Sequence, residues 1–195
     1  MVDLGGVVFT WDPDSIIAAV FVDPETRQRV RALIFDHPDW LELDRGTLEL
    51  DEAIHRGAVR TAMPQAEIER LMRSVPQSLV PIPKTLEILR RIKEKGHDLF
   101  YLSNMHEASI NHMEKQYSLW NIFDGGLISC RVHLVKPELG MFERLIQRFR
   151  LDVRQTVFID DDKENLEAAA TIGMRAIRFR DPQQLENDLS ALGCM

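Results

Sequence analysis

Three consecutive carboxylates, Asp160-Asp161-Asp162, stand directly behind the apolar run Val157-Phe158-Ile159. An apolar, partly β-branched run of this length predicts a buried strand. The stretch Lys163-Glu164-Asn165-Leu166-Glu167-Ala168-Ala169-Ala170 follows, rich in strong helix formers, and ends at Gly173. Acids crowded at the carboxyl end of a strand repel one another, and a cation between them removes that cost. In an open parallel sheet this edge is also where ligands bind. Oxygen donors of this kind suit a hard ion such as Mg²⁺. A solvated acidic turn capping the following helix is the simpler alternative, and the cluster alone does not decide between the two.

Positioning such a cluster requires further strands. Residues 83–95 carry apolar side chains at Leu86, Ile88, Leu89 and Ile92 and run into Gly96, which predicts an amphipathic helix with a glycine cap. Beyond it, residues 98–104, 126–129, 156–159 and 174–179 read as strands, and residues 107–117, 138–150, 163–172 and 182–192 as helices. This alternation at short spacing implies βαβ units and a parallel sheet with right-handed crossovers. The chain before residue 83 is different. Residues 1–9 begin as a strand that turns at Gly5-Gly6, and residues 7–11 form one arm of a short hairpin. Helices are then predicted over residues 14–20, 24–35, 38–43, 51–60 and 64–72, with Pro64 suited to a first turn. The expected architecture is α/β, a doubly wound parallel sheet built from residues 1–11 and 82–195, with a small all-helical cap of residues 12–81 inserted after the first strand. Because parallel strands end on one edge, Asp3, Ser103-Asn104, Lys136-Pro137 and Asp160-Asp161 can converge there.

Composition narrows the class of partner. An apolar fraction of 45% and a charged fraction of 28% over 195 residues are ordinary for a soluble globular chain. A net charge of −7 argues against a nucleic-acid or acidic-membrane surface, which needs a basic face. No apolar run is long enough to span a bilayer, and the amino terminus lacks a basic start followed by an apolar core. Cys130 and Cys194 lie far apart without metal-like spacing, as expected of free thiols in a reducing cytoplasm. Trp11, Trp40 and Trp120 are expected as core or interface anchors. His106 follows Ser103 closely enough to reach the same edge.

Taken in order, four stretches resemble the motifs of the haloacid dehalogenase (HAD) hydrolase superfamily. Asp3-Leu4-Gly5-Gly6-Val7 is similar to its nucleophile motif, Phe100-Tyr101-Leu102-Ser103-Asn104 to the strand ending in Ser or Thr, Lys136-Pro137 to the lysine motif, and Phe158-Ile159-Asp160-Asp161 to the paired-acid strand. The helical insertion resembles the small cap of the family, and Trp40-Leu41-Glu42-Leu43-Asp44-Arg45-Gly46 is similar to caps of phosphatases acting on sugar phosphates. The resemblance implies a Mg²⁺-dependent phosphatase of small phosphorylated metabolites. Asp3 would be the nucleophile and form an aspartyl phosphate. Ser103, Asn104 and Lys136 would contact the phosphoryl group. Asp3, Asp160, Asp161 and the carbonyl of Gly5 would ligate the metal. Asp162 would cap the following helix, and Asn165 would orient the loop.

Two features depart from the family pattern. Most HAD phosphatases carry a second Asp two residues after the nucleophile, serving as general acid and base. Here that position is Gly5. General acid–base help is worth about 10²–10⁴-fold, so its loss predicts a slower enzyme, a preference for acidic leaving groups, or a substitute such as Asp44, Glu42 or a water. L-2-haloacid dehalogenases also lack the second Asp, but they need no metal and do not place two adjacent acids beside the nucleophile. Asp160-Asp161 therefore favours the phosphatase. The second departure is that only Met1 and Val2 precede Asp3, a short first strand. It keeps open a HAD-like protein that binds a metabolite or partner with little turnover.

Overall fold

The computed structural model describes Met1–Met195. Four short strands carry the α/β half: β1 (Phe100–Ser103), β2 (Gly125–Ile128), β3 (Val157–Asp160) and β4 (Arg175–Arg178). β1 pairs in parallel with β2, and β3 with β4. The amino-terminal segment joins the two pairs, with Val2 bridged in parallel to Tyr101 on one side and to Ile159 on the other. Val2 N donates to Phe100 O at 2.8 Å, Leu102 N donates to Val2 O at 3.0 Å, and Asp3 N donates to Ile159 O at 2.9 Å. The sheet is therefore parallel, in the order β2-β1-(Val2)-β3-β4, and Asp3 stands mid-way along its carboxyl edge.

Both faces of the central strands are covered, so β1 and β3 read as largely apolar runs, whereas the edge strand β4 exposes Arg175, Ala176 and Arg178. Successive side chains alternate between the faces. Val2, Ile159 and Ile177 enter one cluster with α6 (Pro83–Glu94), α7 (Glu107–Gln116) and α11 (Pro182–Ala191). Met1, Leu102 and Phe158 enter another with α9 (Leu139–Phe149) and α10 (Lys163–Thr171). Each fully buried Leu, Ile or Phe contributes roughly 1.5–3 kcal/mol.

Five helices precede α6: α1 (Pro13–Val20), α2 (Pro24–Val30), α3 (Pro38–Arg45), α4 (Leu50–Thr61) and α5 (Gln65–Ser78). They enclose a third apolar cluster that includes Ile17, Val30, Ile54, Ile68 and Leu71. Between α2 and α3 the helix widens into a π turn over Arg31–Phe35. The expected hairpin arm at residues 7–11 finds its partner far along the chain. Thr10 N donates to Val80 O and Ile82 N donates to Val8 O, each at 2.8 Å, so the two strands of chain that enter and leave the helical unit pair antiparallel. α5 runs past its expected end at Met72 to Ser78, with Pro76 tolerated in its last turns. A short helix absent from the sequence reading, α8 (Ser129–Val132), follows β2 directly.

The carboxyl end of α3 is seated on the core. Arg45 donates to both carboxylate oxygens of Glu138, at 2.7 and 2.9 Å. Gly46 follows in the left-handed region at φ +76°, where an added Cβ would lie 2.6 Å from the carbonyl oxygen of Cys130. α5 packs on α7 as well.

Candidate active site

The carboxyl edge of the sheet collects charge around one buried lysine. Lys136 Nζ lies 2.9 Å from Asp3 Oδ1 and 2.7 Å from Asp160 Oδ2, and its side chain is only 1% exposed. Asn104, just past β1, holds this lysine's backbone from both sides. Its Oδ1 accepts from Lys136 N at 2.8 Å and its Nδ2 donates to Lys136 O at 2.9 Å. Asn104 thus reaches across the gap between two crossover connections, and its amide is committed to positioning the lysine loop.

Asp3 is oriented by the start of the turn that follows it. Leu4 N donates to Asp3 Oδ1 at 2.7 Å, so Oδ1 has two donors while no protein group donates to Oδ2. Asp160 is completely buried at the end of β3. Its Oδ1 accepts from Asp162 N at 2.8 Å, and Asn165 Nδ2 lies 3.2 Å from both of its oxygens. Asn165 is one turn into α10 and so locks the carboxylate from the helix side. Asp162 caps α10, its Oδ1 accepting from Glu164 N at 2.7 Å. Asp161 leans against Gly6, which has φ +75°, and a Cβ at Gly6 would lie 2.5 Å from Asp161 Oδ2. Only glycine meets both demands of that turn.

One oxygen from each of Asp3, Asp160 and Asp161 lies within 4.8 Å of the others. The electrostatic cost is visible in two of these groups. Burial pushes the Asp3 carboxyl up to about 7; Lys136 opposes this, and Asp160 and Asp161 add to it. Burial, followed by repulsion from Asp160, also raises Asp161. A set of hard oxygen donors with uncompensated negative charge fits a divalent cation such as Mg²⁺. Ser103, at the end of β1, is 1% exposed, and its hydroxyl oxygen has no hydrogen-bond partner.

A cavity of about 270 Å³ opens over these groups, with Asp3, Gly5, Lys136 and Asp161 in its lining. Its other wall comes from the helical unit. Trp11, Phe35 and Trp40 form an aromatic trio, with ring centroids 4.5 Å apart for Phe35–Trp40 and 5.7 Å for Trp11–Trp40. Trp11 and Trp40 therefore face the site as well as anchoring a core, whereas Trp120 packs between Phe9 and Tyr101. His106, Ser109 and Asp44 also line the cavity. Ser109 carried a readable signal, since it lies one helical turn after His106. Phe35 carried none, because it reaches the cavity only through the π turn.

The sequence profile of the family described as haloacid dehalogenase-like hydrolase matches residues 47–179. The chain is 27% identical over 179 residues to the sesquiterpene phosphatase astK of Aspergillus oryzae, covering 92% of this chain and 88% of that protein. The HAD family enzyme bt-2542 of Bacteroides thetaiotaomicron, solved with magnesium and inorganic phosphate, superposes with a TM-score of 0.70 at 21% identity, covering 92% of each chain. The L-2-haloacid dehalogenase of Xanthobacter autotrophicus superposes with a TM-score of 0.67 at 15% identity, covering 97% of this chain and 81% of that one. At these identities the two superpositions speak for the fold. The profile match spans well over half of the 195 residues, and the chain belongs to the haloacid dehalogenase-like hydrolase family.

Proposed function

We propose that this chain hydrolyses small phosphate monoesters, with Asp3 as the nucleophile. The observation that carries the proposal is the cluster of Asp3, Asp160 and Asp161, with ligand oxygens within 4.8 Å of one another around a buried lysine. A metal-free dehalogenase has no cation to offset two adjacent further carboxylates beside its nucleophile. With Oδ1 of Asp3 held by Leu4 N and Lys136, Oδ2 attacks phosphorus. The bond from phosphorus to the leaving oxygen breaks, and the resulting aspartyl phosphate is cleaved by water. This splits one difficult displacement into two easier ones. Lys136 offsets the charge of the cluster and meets the phosphoryl group as a point charge. The Ser103 hydroxyl, buried and otherwise unpartnered, donates to a phosphoryl oxygen. Asn104 acts by fixing Lys136. A bound Mg²⁺, held by Asp3, Asp160, Asp161 and the Gly5 carbonyl, would neutralise the phosphate charge that otherwise repels the nucleophile.

The described activity of the Aspergillus relative and the magnesium and phosphate bound to the Bacteroides enzyme support this reading. The aromatic wall of Trp11, Phe35 and Trp40 takes the leaving group, and such rings stack on the face of a sugar, which supports a sugar phosphate as substrate. The net charge of −7 supports a small metabolite rather than a nucleic acid as partner, and two free cysteines support a cytoplasmic setting. No helix is long and apolar enough to cross a membrane. The test is hydrolysis of p-nitrophenyl phosphate with and without Mg²⁺, comparing wild type with Asp3→Asn. Metal-dependent release of p-nitrophenolate, lost in the variant, is expected. Metal-independent chloride release from 2-chloropropionate, without phosphatase activity, would replace the proposal with a dehalogenase.

A further inference from the structure

A phosphatase with Gly5 two residues after its nucleophile has no proton donor on that turn. The same cavity contains another candidate. His106 Nδ1 lies 3.4 Å from Asp44 Oδ1, and His106 Nε2 lies 3.0 Å from Ser109 Oγ. The three residues form a carboxylate–imidazole–hydroxyl chain, and all three line the cavity that contains Asp3. They are buried, with exposures of 8% for Asp44, 3% for His106 and 1% for Ser109. A buried histidine that merely satisfies its own nitrogens needs no place in a cavity wall. Here the last member of the chain is a hydroxyl, which passes a proton on as readily as it receives one.

The chain is also held still. Asp44 comes from α3 and His106 and Ser109 from the start of α7, yet the two elements are pinned to each other. Ser129 Oγ donates to the carbonyl of Asp44 and accepts from Met105 N, the latter at 2.8 Å. The Arg45–Glu138 pair secures the next residue of α3. Trp40 packs edge-on against the His106 ring with centroids 5.7 Å apart, fixing its plane.

Building on the phosphatase reading, we propose that Asp44, His106 and Ser109 form the proton relay that replaces the missing general acid and base. In the first step Asp3 Oδ2 bonds to phosphorus and the bond to the leaving oxygen breaks. That oxygen takes the hydroxyl proton of Ser109, while the Nε2 proton of His106 moves to Ser109 Oγ. Asp44 holds Nδ1–H and stabilises the imidazolium present before transfer. In the second step a water attacks phosphorus, the bond to Asp3 breaks, and the water's proton returns through Ser109 to His106. The sum is ester plus water to alcohol plus phosphate, with the relay restored. Ser109 is the member that meets substrate, and Asp44 is a positioning residue.

The experiment compares two esters of similar size, p-nitrophenyl phosphate and 3-phenylpropyl phosphate, in the magnesium-loaded protein. Nitrophenolate departs without a proton, and an alkoxide does not. His106→Gln and Ser109→Ala are each expected to lower kcat/KM for the alkyl ester by about 10²-fold or more and for the aryl ester by less than about threefold. Position 5 has room for a donor, since the nearest atom to an added Cβ is Trp11 Cβ at 3.9 Å. Gly5→Asp in the His106→Gln background is therefore expected to recover the alkyl ester by about tenfold or more. Parallel losses on both esters, no loss on either, or no recovery by Gly5→Asp would overturn the relay. Failure of the wild type to hydrolyse either ester would instead overturn the phosphatase reading.

Discussion

Replacing Lys136 by Met tests how the charge of the site is balanced. Lys136 Nζ contacts Asp3 at 2.9 Å and Asp160 at 2.7 Å, and the side chains of Lys136 and Asp160 are 1% and 0% exposed. Methionine fills a similar volume without the charge, so the substitution removes the cation and little of the packing. Two carboxylates are then left buried beside a third. At an effective dielectric of about 20, each contact at this distance is worth roughly 6 kcal/mol of attraction, most of which desolvation offsets. Removing one partner of a buried pair costs about 3–5 kcal/mol, because the stranded charge keeps its desolvation cost. For a chain of 195 residues, at about 2–4 °C per kcal/mol, the melting temperature should fall by roughly 6–20 °C. Urea denaturation followed by circular dichroism, in chelator, measures the loss directly. Adding Asp160→Asn to the variant should return part of it, since the two sites are coupled. A loss below about 1 kcal/mol would place Lys136 in the class of solvated ion pairs and refute the charge balance described above.

Other outcomes follow from the same structure. Magnesium at about 100 times its dissociation constant should add about 2.7 kcal/mol to wild type, or roughly 5–11 °C in a melting curve; Asp161→Asn should abolish this shift, and an equal shift in the variant would remove Asp161 from the metal set. Gly46→Ala should cost at least about 2 kcal/mol in urea denaturation, from backbone strain at φ +76° and the clash with the Cys130 carbonyl; a neutral result would show that α3 and α8 are not in close contact. Cys130 is buried, its thiol donates to Glu107 at 3.2 Å, and burial pushes it up to about 12. At pH 8 Ellman's reagent should therefore titrate Cys194 alone in the native protein and both thiols in denaturant; two fast native thiols would contradict the packing around Cys130.

The α/β half was legible because its central strands are buried on both faces and several of its helices carry glycine or proline punctuation. Val157-Phe158-Ile159 reads as strand with no tertiary knowledge, and Gly96 and Gly173 mark the ends of α6 and α10. The four strand-end groups were legible for the same reason, since parallel pairing alone brings them to one edge. What local patterns did not reveal depends on long-range contact. α8 is only four residues long and begins where β2 stops, so no period develops. The extension of α5 to Ser78 is stabilised by packing of Val75 and Pro76, whereas a proline in sequence predicts an ending. The partner of residues 8–10 lies some seventy positions away. Phe35 joins the site through the π turn, and Asp44, nameable from sequence only as a substitute acid, meets His106 because α3 is seated on α8; helical periodicity says which residues share a face without saying what that face meets.

The seam between α3 and α8 has a consequence for traffic through the site. The helical unit is fastened by the antiparallel pairing of residues 8–10 with 80–82, by the contact of Asp44, Arg45 and Gly46 with Ser129, Cys130 and Glu138, and by the packing of α5 on α7. A lid attached by its linkers alone swings; one riveted at a second place becomes a wall. Arg31 and Asp36, which pair at 3.0 Å and are both partly solvent-exposed, lie in the lining of the cavity. Side-chain rotation there takes picoseconds to nanoseconds, against microseconds or longer for a domain swing. Such a vessel changes its contents by exchanging individual wall residues, so new substrates arise by re-tiling a fixed chamber rather than by altering how it opens.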